Sequence, residues 1–341
     1  MVQLSFFERY VDDFKNQSCR RLSFPDGFKQ VSDGILQYGG ADYEVGGQRI
    51  LVSGGIHGNE VTGVEIINEI VEQIINQRLQ IHGKALFVLG NGKALAMNKR
   101  ETEAKANMNR MFGRILQFFI DRGLTTSYEF GRVKQIEDAV RRFEPTWHFD
   151  IHQTIEPSDP FAITQLRNPK GVATYDYDVE AFLAEAKINK VVYRPTTTIS
   201  SGVFSEFTGV NFGTKAMTLE IGQISKTCPL VYQAVRDAIL RVLIEGAEVF
   251  EDVKNNDPIE AYKIIDEVIK RNPSFRFYRD GLRNFDSFKA DQAICFDGQK
   301  DVVLKEPVGL LFPNAKVQTG ERAGVLVKKL VLAEIIQFPV K

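Results

Sequence analysis

The chain has 341 residues, 43% of them hydrophobic and 26% charged, with a formal net charge of −1. That composition supports a large folded core in roughly two domains and excludes a disordered chain. The near-neutral balance argues against nucleic acid or an anionic membrane as the main partner, and no apolar run reaches the roughly 18 residues that span a bilayer.

Residues 1 to about 48 read as a helix followed by short strands. The first ten residues lack a basic segment followed by an apolar one, so no leader is expected. Arg49 to Gly55 is an apolar run that predicts a buried strand, and Val61 to Gln77 predicts an amphipathic helix. Ala85 to Gly90 is a second strand candidate. Tyr128 to Arg142 has helical periodicity and stops before Pro145. Trp147 to His152 alternates with period two, as a strand does. Lys190–Tyr193 and Ala216–Gly222 are further strands, and Val231 to Phe250 is a long helix. Strands alternating with helices predict an α/β domain with a largely parallel sheet.

Around Asn255-Asn256-Asp257-Pro258 the texture changes. Short β-like runs follow at Phe275, Ala293, Val308, Gly324 and Leu330, several separated by turn signals such as Asp297-Gly298 and Pro313-Asn314. A boundary near residue 252 therefore divides residues 1–252 from a smaller β-rich domain at 253–341. Cys19, Cys228 and Cys295 lie far apart with no CxxC spacing. This predicts a reducing compartment, the cytoplasm, and no disulfide framework.

Polar groups gather at the predicted strand ends. His57 and Glu60 sit where the first strand hands over to a helix. Residues three apart share one face of a helical turn, and an imidazole and a carboxylate there are two ready zinc ligands. The bland alternative is a loop histidine before a glutamate that a helix N-terminus favours anyway. His152 ends the Trp147 strand and Glu220 ends the Ala216 strand. Open α/β sheets bind ligands beyond the carboxyl ends of their strands, so three strand ends deliver polar groups to one rim. His57, Glu60 and His152 make a three-ligand set that leaves a fourth position open, as catalytic zinc sites do.

The other histidines fit worse. His82 reads as part of a surface turn. His148, on the strand face of His152 but about 13 Å away, reads as a satisfied structural histidine. Asp150 shares that face; it either holds a ligand imidazole or is an ordinary hydrogen-bonded aspartate. Glu220, between Leu219 and Ile221, is costly unless it is ion-paired or acts as a general base. Asn107-Met108-Asn109-Arg110 offers an arginine fork and an amide to a carboxylate, with Arg100 upstream. Alone, either arginine is most often a solvated surface charge.

Together these pieces resemble the succinylglutamate desuccinylase/aspartoacylase family of zinc amidohydrolases, which is related to the zinc carboxypeptidases. The matching segments are Gly54-Gly55-Ile56-His57-Gly58-Asn59-Glu60, Asn107-Met108-Asn109-Arg110-Met111-Phe112, Phe149-Asp150-Ile151-His152, Thr218-Leu219-Glu220-Ile221-Gly222 and the stretch Leu311 to Gly324. The resemblance implies a carboxypeptidase-like mixed sheet flanked by helices, with a smaller C-terminal β-rich domain. It implies one Zn2+ on His57, Glu60 and His152, and Glu220 as the catalytic glutamate. It implies Asn109 and Arg110 as the pair that holds a substrate carboxylate. Arg100 would be the catalytic cation that polarises the amide carbonyl, a role for which Lys105 competes.

Length and the C-terminal domain look most like the bacterial succinylglutamate desuccinylase branch. The implied reaction is hydrolysis of N-succinyl-L-glutamate to succinate and L-glutamate, on the arginine succinyltransferase route. The partner is then a small molecule, with no nucleic acid and no membrane; a homo-oligomer stays open. Three rivals stand beside this reading: an aspartoacylase-like or other N-acyl amino acid deacylase, a peptide carboxypeptidase, and a non-catalytic zinc or ligand-binding protein.

Overall fold

The apolar run at Arg49 becomes an inner strand of one large sheet. The computed structural model describes residues 6–16, 24–39, 47–77, 79–104, 106–124, 126–165, 177–195, 201–224, 226–246 and 259–330. Helix α1 (Phe6–Asn16) and the hairpin β1 (Phe28–Ser32) and β2 (Ile35–Tyr38) come first. Then follow β3 (Arg49–Gly54), α2 (Thr62–Gln77), β4 (Lys84–Leu89), α3 (Gly92–Ala96), α4 (Arg114–Asp121) and α5 (Tyr128–Phe143). Next come β5 (Trp147–Thr154), β6 (Phe161–Gln165), α6 (Tyr177–Glu185), β7 (Lys190–Arg194), α7 (Phe204–Phe212), β8 (Lys215–Gln223) and α8 (Pro229–Glu245). Seven more strands complete the described residues: β9 (Glu260–Ile269), β10 (Arg276–Phe277), β11 (Asp286–Phe288), β12 (Ala293–Phe296), β13 (Asp301–Val303), β14 (Val308–Leu311) and β15 (Arg322–Lys329).

Twelve strands form one sheet in the order β1-β2-β4-β3-β5-β8-β6-β7-β9-β15-β14-β11, and β10, β12 and β13 form a separate small sheet. The centre, β4-β3-β5-β8, is parallel. Both flanks bring antiparallel pairs, at β2 with β4 and at β6 with β8. The sheet is therefore mixed; the largely parallel sheet that alternation predicts holds only for its middle. The boundary expected near residue 252 lies outside the described residues. Beyond it β9 pairs parallel with β7 and antiparallel with β15, so the β-rich C-terminal strands extend the same sheet.

Alternation along the strands sorts side chains to two faces. Ile50 and Val52 pack with Ile67, Ile70 and Ile74 of α2 and with Val235, Ile239 and Val242 of α8. Leu51 faces the other way, toward Val133, Ile136 and Val140 of α5 and Phe204 and Phe207 of α7. Phe112 stacks on Phe204 with ring centroids 4.4 Å apart. Burying one such side chain contributes about 1.5–3 kcal/mol, so two helical layers hold the sheet rigid. Every residue of β5 is buried, as a central strand covered on both faces must be.

The register sets up the site. Ser53 pairs with Asp150 and Asp150 with Thr218; Gly54 pairs with Ile151 and Ile151 with Leu219. The carboxyl ends of β3, β5 and β8 therefore stop on one rim. The chain leaves β3 for β4 on one side and returns to β5 on the other, which makes the β3/β5 end a switch point where a crevice opens. No helix among the described residues is long and apolar enough to cross a membrane.

Candidate metal centre

Past β3 the chain turns at Gly55, whose φ of 68° suits glycine. His57 to Glu60 then form a tight turn closed by the Glu60 N–H donating to the His57 carbonyl at 3.1 Å. The histidine and glutamate thus meet through a reverse turn ahead of α2, not on its first helical turn as the spacing suggests. Gly58 lets this turn press on α3: a Cβ there would stand 2.1 Å from the Ala94 carbonyl carbon.

His57, Glu60 and His152 are 3%, 2% and 2% exposed, and their donor atoms lie within 4.8 Å of one another. His57 Nδ1 is 2.8 Å from Glu60 Oε1, and His152 Nδ1 is 2.7 Å from Glu60 Oε2. The opposite ring nitrogens are held by acceptors. His57 Nε2 lies 3.0 Å from Asn107 Oδ1, whose amide orientation is set because the same oxygen accepts the Asn109 N–H. His152 Nε2 lies 3.1 Å from Asp150 Oδ2. With the ring N–H on each Nε2, a metal ion would meet both Nδ1 atoms at one point beside the carboxylate.

Protonation follows from these neighbours. Burial, then the charge of Arg100, lowers His57 to about 4, so it is a neutral imidazole. Burial pushes Glu60 up, but the two histidines outweigh it and hold the carboxyl well below its usual range. Burial pushes His152 down, but Asp150 and Glu60 outweigh it and hold the ring well above the ordinary histidine value. A divalent cation displaces such a proton on binding. Two imidazoles and an anionic carboxylate, dry and convergent, are a donor set that could hold a metal ion.

Glu220 faces this set from β8, paired in register with His152. It is 7% exposed, and its Oε2 has no hydrogen-bond partner among the described residues. Burial raises its pKa to about 7, with His152 opposing and Glu60 adding to the rise. A buried carboxylate oxygen without a partner is costly and marks a place for a proton or a ligand. The ion pair that would make Glu220 a structural residue is not found among the described contacts.

Arg100 donates from Nη1 to Glu60 Oε1 at 2.7 Å with about a third of its side chain exposed, so it lies at the mouth of the site. Its competitor Lys105 lies outside the described residues. Asn109 is 6% exposed; its Oδ1 accepts the Phe204 N–H at 2.9 Å, and its Nδ2 lies 3.3 Å from His152 Nε2. Arg110 donates to the Asn109 carbonyl at 2.5 Å. Solvent reaches the Arg110 side chain, yet burial, then the charges of Arg322, Arg194 and Arg100, pulls its pKa down to about 9. An arginine does not shed its proton near neutral pH, so an anion relieves that crowding.

Several residues here carry no signal in the sequence. Asn107 is legible only as the cap of the Met108–Arg110 turn. The Gln153 N–H donates to Glu60 Oε2 at 3.2 Å, and its side-chain oxygen accepts the Thr62 N–H that opens α2. Arg322 comes from β15, 170 residues beyond His152 in sequence. His82 is exposed and takes no part.

Residues 46–245 match the family model described as the succinylglutamate desuccinylase/aspartoacylase catalytic domain, and residues 257–330 match the AstE/AspA barrel-sandwich hybrid domain. The chain belongs to the succinylglutamate desuccinylase/aspartoacylase family. Among its relatives is the succinylglutamate desuccinylase of Photorhabdus laumondii subsp. laumondii, 29% identical over 325 residues that span 89% of this chain and 94% of that one. The succinylglutamate desuccinylase of Paraburkholderia xenovorans is 30% identical over 314 residues, 87% of this chain and 86% of that one. The crystal structure of succinylglutamate desuccinylase from Vibrio cholerae shares the fold, with a TM-score of 0.76 at 22% identity over 96% of this chain and 95% of that one. The chain is thus an enzyme of this family, with the family's catalytic domain followed by its hybrid domain.

Proposed function

We propose that the chain is a zinc-dependent amidohydrolase of the cytoplasm that cleaves N-succinyl-L-glutamate to succinate and L-glutamate. His57, Glu60 and His152 are its metal ligands. The observation that carries this reading is the meeting of two imidazole Nδ1 atoms and one carboxylate beside the unpartnered oxygen of Glu220. Zinc is favoured by the ligand set, and when bound it supplies a Lewis acid that makes water acidic near neutral pH.

Each residue then has a task. A carboxyl with a pKa near 7 changes protonation at the working pH, so Glu220 takes the proton of the attacking water and returns it to the leaving nitrogen. Arg100 brings its guanidinium to the mouth, where it steadies the negative charge that develops on the amide oxygen. Arg110 and Asn109 hold a substrate carboxylate. Arg194 and Arg322, whose fields reach Arg110, add cations to the same cleft. N-succinyl-L-glutamate carries three carboxylates and acetylaspartate two, so a cleft this rich in arginine suits the former better. On this reading residues 1–252 form the catalytic unit, and the β-rich residues 253–341 lend it Arg322.

The test is a metal analysis of purified protein together with a substrate panel. We expect about one zinc per chain and the highest kcat/KM on N-succinyl-L-glutamate, with no cleavage of a blocked dipeptide. A higher kcat/KM on acetylaspartate overturns the substrate. Bound zinc with no hydrolysis of any N-acyl amino acid overturns the enzyme reading.

A further inference from the structure

Behind the proposed ligand His152 runs a string of buried polar side chains that the mechanism above does not use. His148 Nδ1 is 2.8 Å from Thr208 Oγ1 on α7. His148 Nε2 is 2.8 Å from Ser53 Oγ on β3. Ser53 Oγ donates to Asp150 Oδ1 at 2.6 Å, and Asp150 Oδ2 meets His152 Nε2 at 3.1 Å. Thr208, His148, Ser53 and Asp150 are all 0% exposed, so these links are closed to bulk solvent.

The protons can be counted. Burial lowers His148 to about 4, so at neutral pH its ring carries one N–H. Were that N–H on Nδ1, His148 Nε2 and Asp150 Oδ1 would both need the single Ser53 hydrogen. One buried acceptor would go unmet, at about 1–3 kcal/mol. With the N–H on Nε2, Thr208 donates to His148, His148 to Ser53, and Ser53 to Asp150. Every link then has one donor and one acceptor. What is given up is the alternative Thr208 bond to the Ser205 carbonyl at 3.0 Å, which sits inside α7 and has the helical backbone to serve it.

We infer that Thr208, His148 and Ser53 form a one-directional chain of hydrogen bonds that keeps Asp150 an acceptor, and so fixes which nitrogen of His152 faces the metal. The inference rests on the metal reading above. Ser53 already fills one Asp150 oxygen with a donor, so the other is left for His152 Nε2–H, and Nδ1 is the nitrogen turned to Glu60, whose proton a metal ion displaces. Ser53, His148 and Thr208 are positioning residues: none touches a proposed ligand directly, and each acts through Asp150. A group that hydrogen-bonds a ligand, as Asp150 does, typically carries about 10–100-fold in metal affinity, and Ser53 is the donor that holds Asp150.

The experiment has two arms. In the first, metal-free protein is titrated with zinc against a chelating competitor, as wild type and as Ser53→Ala, Thr208→Val and Thr208→Ser. We expect Ser53→Ala to weaken zinc binding by about 10–100-fold, Thr208→Val to weaken it by less, and Thr208→Ser, which keeps the hydroxyl, to bind as wild type. If Ser53→Ala does not fold, Thr208→Val, which keeps its shape at the far end of the chain, decides this arm. In the second arm, 15N NMR of the metal-free wild type reads the histidine tautomers, and we expect His148 as the Nε2–H form. Zinc affinity that stays within about twofold of wild type in the variants that fold, against the expected loss, overturns the inference, as does an Nδ1–H His148. A wild type that takes up no zinc overturns the metal reading instead, and the His148 tautomer then still decides the chain of donors.

Discussion

Glutamine nearly matches glutamate in volume, so Glu220→Gln removes a proton carrier and little else. The side chain is 7% exposed, and its Oε2 has no described partner that the change would strand. Glu220 also stands outside the three donor atoms that converge. Zinc content should therefore match wild type. Loss of one positioned acid–base group typically costs about 10²–10⁴ in rate. On the proposed mechanism the same carboxyl serves two transfers, from water and to nitrogen, which places the loss near the upper end. At 1.36 kcal/mol per decade, a loss of about 10⁴ is about 5 kcal/mol of barrier. The assay is glutamate release from N-succinyl-L-glutamate, with zinc content and thermal melting measured on the same preparation. A kcat within about tenfold of wild type would refute the base assignment, since that is less than any positioned base contributes. Lost zinc with an intact fold would refute the claim that Glu220 lies outside the ligand set.

Glu60→Gln tests the ligands: it removes the anion between two imidazoles and should weaken zinc binding beyond the roughly 10–100-fold of an outer hydrogen bond; a chelator-competition constant equal to wild type rejects it. Arg110→Ala should raise KM about 10–100-fold with zinc retained, the equivalent of one charged hydrogen bond of about 1.5–3 kcal/mol. Arg322→Ala should raise it less, because Glu267 already shares the Arg322 charge at 3.0 Å; unchanged KM in both variants denies the cleft its anion. Burial lifts Glu180 from 4.5 to about 7, so the folded chain holds an extra proton between those values. Stability is therefore lost as pH rises through that window, and Glu180→Gln should gain about 1–2 kcal/mol at pH 8, after discounting for solvent, and nothing at pH 4. Equal urea midpoints at pH 8 would contradict this.

What was legible in the sequence was whatever short-range pattern decides. β3 announces itself as an apolar run, β5 as a period-two alternation and β8 as a strand ending in Glu220, whereas the reverse turn from His57 to Glu60 does not show in the His-to-Glu spacing. α7 does not: its stretch holds Thr208, Gly209 and Val210, all poor helix formers, and its hold on the sheet comes from Phe204 and Phe207. β9 hides for another reason. Glu260, Lys263, Asp266 and Glu267 break its apolar pattern, and pairing with β7 and β15 on both sides makes it a strand regardless. The site divides likewise. Histidine and glutamate at strand ends are rare enough to notice. Serine, threonine and asparagine are common, so Ser53, Thr208 and Asn107 acquire meaning only once their partners close around them. His148, read as a satisfied structural histidine, is hydrogen-bonded at both nitrogens, and Asp150 takes the option of holding an imidazole.

The arginines around Arg110 are held by one run of contacts that passes from a turn through a loop into paired strands. Arg110 leads into Met111 and Phe112, whose N–H donates to the Gly202 carbonyl at 3.0 Å. Gly202 lies so close that a Cβ would stand 2.3 Å from the Arg110 carbonyl oxygen. Its neighbour Ser201 accepts a hydrogen bond from Arg194 at the end of β7. β7 pairs with β9, β9 with β15, and β15 begins at Arg322, held by Glu267 of β9. Each arginine is thus fixed by backbone pairing or close packing before any anion arrives. Ordering a long charged side chain on binding costs about 0.5–1.5 kcal/mol, and a backbone that is already paired keeps that cost to the side chain alone. On the proposed function the β-rich strands need not close over a substrate to contribute: the pairing of β7, β9 and β15 already holds Arg322 where its charge reaches Arg110.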